Sequence, residues 1–250
     1  MAGLTINSTQ NDNIQKQTEK EFQKSKYSIA SKQGGDPSQA AMVIIDHKTG
    51  QVLACVGGLG EKTTARGLNR ATQSIRQTGS AIKPLAVLAP GIDKKLFTGA
   101  TIYPDVEKTF QGGYEPKNYA SYLGEITVRR ALESSQNIPF VEMMEEIKPK
   151  KSIKYLKKMG ITTLTEKDET LSLSLGGLDK GISPLEMAGA YATIANDGVY
   201  ITPTFYTKVV DASGNTVLTP KQEQTRVFSE QTAYLTKSIT QEPVTASNGT

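Results

Sequence analysis

Scarcity sets the first limits on this chain of 250 residues, which has a single cysteine, Cys55, and a single histidine, His47. One cysteine excludes an internal disulfide framework and a multi-cysteine zinc site, and one histidine argues against a His-rich metal site, so neither metal nor cofactor is expected. No stretch approaches the ~20 apolar residues of a membrane span, and the N-terminus lacks the short apolar region of a signal peptide. Charge is not gathered into a block either: 29 Lys and Arg against 25 Asp and Glu leave a net charge of +4 spread along the chain. Nucleic acid is not implied by such a balance. What is present suffices for a core, with 37% hydrophobic residues, 22 Gly and 11 Pro and no low-complexity bias. The length exceeds the usual ~100–200 residues of a domain and favours one large domain, or one domain with an appendage. Met1-Ala2 reads as an added start and Asn248-Gly249-Thr250 as no natural domain end. The chain is therefore expected to be cut from something longer and anchored.

Texture changes along the chain. Residues 1–39 are poor in aliphatics and read as a connecting segment: a short strand, a weakly amphipathic helix within Asn11–Tyr27, then a loop through Gly34-Gly35-Asp36-Pro37. From Ala40 two apolar runs, Ala41–Ile45 and Gln51–Val56, flank Asp46-His47-Lys48-Thr49-Gly50 and predict a hairpin of buried strands. A helix is expected from Ser80 to about Ala89, closed by Pro90-Gly91. Tyr103–Tyr122, rich in Gly, Pro, Asn and Tyr, reads as irregular connection. Helices are predicted at Thr127–Ser134, Pro139–Glu146, Lys150–Met159 and Pro184–Ala195, with Thr127 and Ser183 as N-caps. Val199–Asp211 and Thr216–Leu218 resemble a strand pair, and a last helix spans roughly Ser229–Ile239.

The sharpest chemical feature is Gln77-Thr78-Gly79-Ser80-Ala81-Ile82-Lys83-Pro84. Residues three apart on a helix share a face, so Lys83 can reach the Ser80 hydroxyl. A serine becomes a good nucleophile when a neighbouring base takes its proton, and a lysine desolvated in a cleft is lowered toward that role. Unpaired N–H groups at the helix start favour the negative charge that develops in acyl transfer. Pro84 creates a tension, because it has no N–H for the Ser80 carbonyl and needs a partly open first turn. Taken alone, the octapeptide reads more readily as a capping serine followed by a solvated lysine. A second serine and an asparagine, Ser135 and Asn137, stand two apart at a helix–loop boundary. There Ser135 could relay a proton to a leaving amine and the Asn137 amide could bond a peptide substrate. The same Ser-x-Asn pattern at Ser213-Gly214-Asn215 reads as a hairpin turn. His47 reads as a turn residue, Cys55 as a packed small hydrophobe, and the lysines of 148–158 as a solvated helix face.

With these elements in hand, the chain resembles the transpeptidase domain of class A penicillin-binding proteins, which carry Ser-x-x-Lys, Ser-x-Asn and Lys-Thr-Gly elements. The likeness extends over Leu68–Thr72, Arg76–Pro84, Tyr114–Tyr119 and Ala131–Pro139. It continues through Leu175-Gly176-Gly177, Ser183–Ala188, Ala190–Ala192 and Ala195–Gly198. It covers roughly Ala40 to the end, so residues 40–250 are expected to be a transpeptidase domain, and 1–39 the linker that follows an upstream glycosyltransferase in bifunctional enzymes. The fold it implies is α+β: a central antiparallel sheet with helices on both faces, plus a helical lobe carrying Ser135. Thr78 stands where such proteins often have proline. Lys48-Thr49-Gly50 has the letters of the third element but precedes Ser80 and lies in the first hairpin turn. The true element is expected on a strand beyond Thr250, together with the closing strands, and the isolated fragment is expected to be inactive without that C-terminal part.

The resemblance implies acyl transfer. Ser80, deprotonated by Lys83, attacks the carbonyl between the two terminal D-alanines of a peptidoglycan stem peptide, Ser135 helps to move protons, and Asn137 holds the peptide. An acceptor amine then resolves the ester, and β-lactams trap the same serine. The alternatives are a D,D-carboxypeptidase or β-lactamase using water, or a penicillin-sensing domain without turnover. The expected place is the extracytoplasmic face of the bacterial membrane, touched only through an upstream segment.

Overall fold

A computed structural model describes residues 3–32, 34–63, 65–247 and 249; Met1, Ala2, Asn248 and Thr250, on which the expectations about the two ends fall, lie outside them. The first strand, β1 (Thr5–Ser8), precedes α1 (Asp12–Phe22), whose N-terminus is capped by the Asn11 side chain accepting from the N–H groups of Asn13 and Ile14. Two apolar runs then form the predicted hairpin, β2 (Met42–Ile45) and β3 (Val52–Val56), around a turn in which Gly50 takes φ +70°. The Gln15 side chain joins α1 to β3, accepting from the Cys55 N–H at 2.8 Å and donating to its carbonyl at 3.2 Å. The segment read as a connection thus packs on the body. β2 is less buried than expected, with Met42 42% exposed, and β3 is the one strand paired with it among the described residues.

After α2 (Arg70–Gln73) the chain departs from the single helix expected at Ser80–Ala89. It makes a 3-10 turn over Gly79–Ile82, a π-helical turn over Pro84–Leu88, and α3 (Ala89–Asp93), which runs through Pro90-Gly91 instead of stopping there. Pro84 explains the sequence of turns. Its missing N–H is replaced by that of Lys83, which bonds the Ser80 carbonyl one residue early, and the ladder resumes with the wider bond from Ala89 N–H to Pro84 O. Pro90 falls in the first turn of α3, where proline is tolerated. Leu85, Val87 and Leu88 are wholly buried and pack in one core with Phe140, Met143, Met144, Ile147 and Leu156. The stretch bearing Lys83 is therefore the centre of the molecule, at ~1.5–3 kcal/mol for each large side chain removed from water.

The region read as irregular contains a strand pair, β4 (Ile102–Asp105) with β5 (Gly124–Thr127), antiparallel, with Asp105 opposite Gly124. Pro104 concealed it; proline is accommodated because β4 has one ladder only among the described residues. The helical lobe follows as expected: α4 (Val128–Glu133), α5 (Ile138–Ile147) and α6 (Pro149–Lys158). α6 turns Ser152, Ile153 and Leu156 inward and its lysines to water. α7 (Pro184–Ala195) begins on a reciprocal cap between Ser183 and Glu186. Then come β6 (Val199–Ile201), β7 (Tyr206–Val210), β8 (Thr216–Leu218), β9 (Gln224–Arg226), α8 (Glu230–Thr240) and α9 (Glu242–Thr245). Pairings run β1-β7-β8, β2-β3, β4-β5 and β6-β9, all antiparallel, with no closed barrel among the described residues. The class is α+β.

Candidate active site

Ser80 is presented by a turn that other parts of the chain hold from both sides. Before it, Arg76 exchanges backbone hydrogen bonds with Ile182, and the Gln77 amide bonds both the N–H and the carbonyl of Leu178. Gly79 takes φ +55°, and Gly176 lies so close that a Cβ there would strike the Gly79 backbone and Thr78 Oγ1. After the turn, the Tyr191 hydroxyl donates to the Ala81 carbonyl at 2.7 Å. The result is an exposed serine on an immobilised backbone. Thr78, the residue that departs from proline, carries a buried hydroxyl without a hydrogen-bond partner.

Three residues on, Lys83 is wholly buried. Its nitrogen has four acceptors within reach, Ser135 O at 2.7 Å, Asn137 Oδ1 at 2.8 Å, Gln136 O at 3.0 Å and Ser135 Oγ at 3.3 Å, and lies 5.2 Å from the centre of the Phe140 ring. The local sequence shapes this cradle. α4 ends in a left-handed residue, with Gln136 N–H returning to Ala131 O and Ser135 N–H to Leu132 O, the double bond of a Schellman end. That left-handed residue is Ser135, at φ +51°. Asn137 then occupies the N-cap of α5, yet its side chain makes no cap bond; its oxygen is turned to Lys83 and its amide donates to Lys117 O at 2.7 Å.

Burial lowers the Lys83 ammonium to about 7, against the opposing pull of the Asp105 carboxylate. Near neutrality a large fraction of this amine is unprotonated and can accept a proton. Lys83, Ser135 and Asn137 are thus brought together by direct hydrogen bonds. Ser80 is one helical turn from Lys83 along the chain, and no hydrogen bond joins its hydroxyl to the amine among the described residues. A cleft of about 560 Å³ follows the serine turn on the Ala81 side, between Arg76, Gln77, Thr78, Met187 and Tyr191.

Two residues that the sequence reading left without a role stand behind the cradle: Asp105 and Asn118. Asn118 lies in the Tyr114–Tyr119 run, which entered as part of the resemblance, and no sequence signal pointed to Asp105. The remaining candidates fall elsewhere. Lys48 of Lys48-Thr49-Gly50 sits on the β2–β3 turn and pairs with Asp197 at 3.2 Å. Ser213-Gly214-Asn215 forms the β7–β8 turn around Asp211. Cys55 lies in β3 against Asn69. No group of three or more metal-ligating side chains occurs among the described residues.

Comparison with known proteins extends this picture. The family described as "Penicillin binding protein transpeptidase domain" matches residues 40–250. The chain is 38% identical to Penicillin-binding protein 1F of Bacillus subtilis (strain 168), covering 99% of the chain and 34% of that protein. It is 37% identical to Penicillin-binding protein 1A of Clostridium botulinum (strain Hall), covering 98% of the chain and 31% of the relative. The chain therefore spans about a third of the length of these relatives. Among solved structures, penicillin-binding protein 1A from Haemophilus influenzae superposes with a TM-score of 0.72 at 25% identity, covering 86% of this chain and 36% of that one. The PonA1 protein from Mycobacterium tuberculosis, in complex with penicillin V, gives 0.79 at 24% identity over 98% of this chain and 67% of that one, a likeness of fold.

Proposed function

The chain belongs to the penicillin-binding protein transpeptidase family, and on that premise we propose that it carries the serine acyl-transfer site of a peptidoglycan D,D-transpeptidase. Ser80 is the nucleophile. The unprotonated Lys83 amine takes the hydroxyl proton as Ser80 Oγ bonds to the carbonyl carbon between two terminal D-alanines. The C–N bond then breaks, and the departing D-alanine nitrogen receives a proton by way of Ser135. An amine from a neighbouring stem peptide attacks the ester, gives up its proton to the same base system, and returns Ser80 to its hydroxyl form with a cross-link made. Asn137 keeps Lys83 in place and has a second amide hydrogen for a peptide carbonyl. A β-lactam enters by the first half of this path and remains as an ester. In the proposed setting the site faces the extracytoplasmic side of the bacterial membrane. Among the described residues no helix is long and apolar enough to cross one.

One observation supports this reading above the others: a lysine wholly inside the protein, lowered to about 7, one turn from an exposed serine on a fixed backbone. Burying an ammonium is costly, and an amine lowered to about 7 beside a serine suits a base in a reaction. Labelling the complete protein with a fluorescent penicillin is expected to succeed, and to disappear in Ser80→Ala. Incubation with a stem peptide and an acceptor amine is expected to yield the cross-linked dimer. Trimmed peptide alone would assign the site to hydrolysis, and labelling that persists in Ser80→Ala would remove Ser80 from the chemistry.

A further inference from the structure

Behind the Ser135–Asn137 loop lies a carboxylate with no exposed surface, Asp105, at the end of β4. A charge so placed must be compensated by hydrogen bonds, and the bonds here lead to the active site. Asp105 Oδ1 accepts from the Asn118 amide at 2.7 Å, and Oδ2 from the Leu123 N–H at 2.8 Å. The Asn118 oxygen in turn accepts the Asn137 N–H at 2.7 Å. Fixing the Asn118 amide nitrogen on the carboxylate leaves its oxygen facing Asn137, so the orientation of one amide is set by the other end of the chain of bonds. The same 117–123 segment also grips the loop at Lys117 O, which takes the Asn137 amide, and at Ser121 O, which takes the Gln136 amide at 3.1 Å.

We propose that Asp105 and Asn118 are positioning residues for the acylation step: Asp105 orients Asn118, Asn118 holds the backbone of Asn137, and through it the cradle that aims the Lys83 amine. Asp105 has a second effect at a distance. Around that amine the 135–137 loop presents neutral acceptors, α5 presents the Phe140 ring, and β4 presents Asp105, the one charge acting on Lys83 among the described residues. Its attraction favours the protonated amine and opposes burial. The Tyr122 hydroxyl, which also feels Asp105, is pushed up by desolvation and by the Glu107 and Asp105 carboxylates and stays neutral through this range. Asp105 thereby offsets part of the effect of burial on Lys83, while Asn118 sets where the amine is.

This inference rests on the acyl-transfer reading, and its test separates the two. In the complete protein, Asp105→Asn and Asn118→Ala are compared with the parent by the time course of penicillin labelling across the neutral range. Unfolded molecules lower the amplitude and leave the rate constant intact. Asp105→Asn is expected to move the acidic limb of the rate profile to lower pH and to slow the plateau ~10-fold; Asn118→Ala is expected to slow it similarly with the limb in place. A second readout needs no chemistry: the Lys83 titration, followed through its ¹³Cε shift in a Ser80→Ala background. Its midpoint, about 7 in the parent, is expected to fall in Asp105→Asn and to hold in Asn118→Ala. An unmoved midpoint in Asp105→Asn, or parental rate constants in both variants, overturns the proposal. Labelling undiminished by Ser80→Ala overturns the acyl-transfer reading instead, and the Lys83 titration still decides on Asp105.

Discussion

Ser135-Gln136-Asn137 and Ser213-Gly214-Asn215 follow the same three-residue pattern, and the molecule uses them for different ends. In the β7–β8 turn, Asp211 Oδ1 accepts the N–H groups of Ser213 and Asn215 at 2.9 Å each, Asn215 donates its amide to Asp211, and Ser213 to Asn215 are exposed. The left-handed residue there is Gly214, φ +84°, with open space where a Cβ would stand. At the other loop the left-handed residue is the serine itself. A serine in that conformation costs roughly 1 kcal/mol or more relative to glycine, and such strain persists where the surroundings impose it and a side chain is needed. The asparagines diverge in the same way. Asn215 closes its own turn, whereas Asn137 leaves the cap position of α5 unserved and reaches a lysine 54 residues away in sequence. What separates the two loops is a buried partner, not their composition.

Substitutions in the two loops and at Lys83 put this difference to the test. The largest effect belongs to Lys83→Met, which removes the base and is expected to slow penicillin acylation ~100- to 10,000-fold in stopped-flow or gel-based time courses. Asn137→Ala is expected to cost about 100-fold by releasing the amine from its place, while Asn215→Ala leaves the rate constant unchanged. Equal losses from the two asparagines would erase the distinction. The parent's acylation rate should itself depend on pH through Lys83. The amine must be unprotonated to accept a proton, so the rate rises with pH, reaches half its plateau near 7 and falls ~10-fold per unit below it. The smallest effects are on stability. Ser135→Gly is expected to raise unfolding free energy by about 1 kcal/mol while slowing acylation, and Gly214→Ala to lower it by about 1 kcal/mol with acylation intact, both read by denaturant titration.

Legibility in the sequence followed the range of the interactions. α7 was readable to the residue because Ser183, Pro184 and Glu186 encode its start locally. The β2–β3 hairpin was readable from two apolar runs around a turn. Ser80 and Lys83 were readable as one helical turn, and the tension at Pro84 was visible, though not that a 3-10 turn followed by a π-helical turn would relieve it. The bond from Lys83 to the 135–137 loop spans more than 50 residues, and no local pattern carries it. β4 was concealed because Ile102-Tyr103-Pro104-Asp105 offers a proline and a charge where a strand signal would have alternation. A fully buried aspartate is rare in a core unless paired, so Asp105 became visible only with its partners.

The reactivity of the exposed serine depends on a buried lysine lowered to about 7. The most direct test of this dependence is to react the complete protein with penicillin at a series of pH values and locate the adduct by peptide mass spectrometry. The predicted result is one ester, on the peptide containing Ser80, forming at half its plateau rate near pH 7. An adduct on Ser135 or any other residue, or a rate through Ser80 that ignores pH across this range, would contradict it.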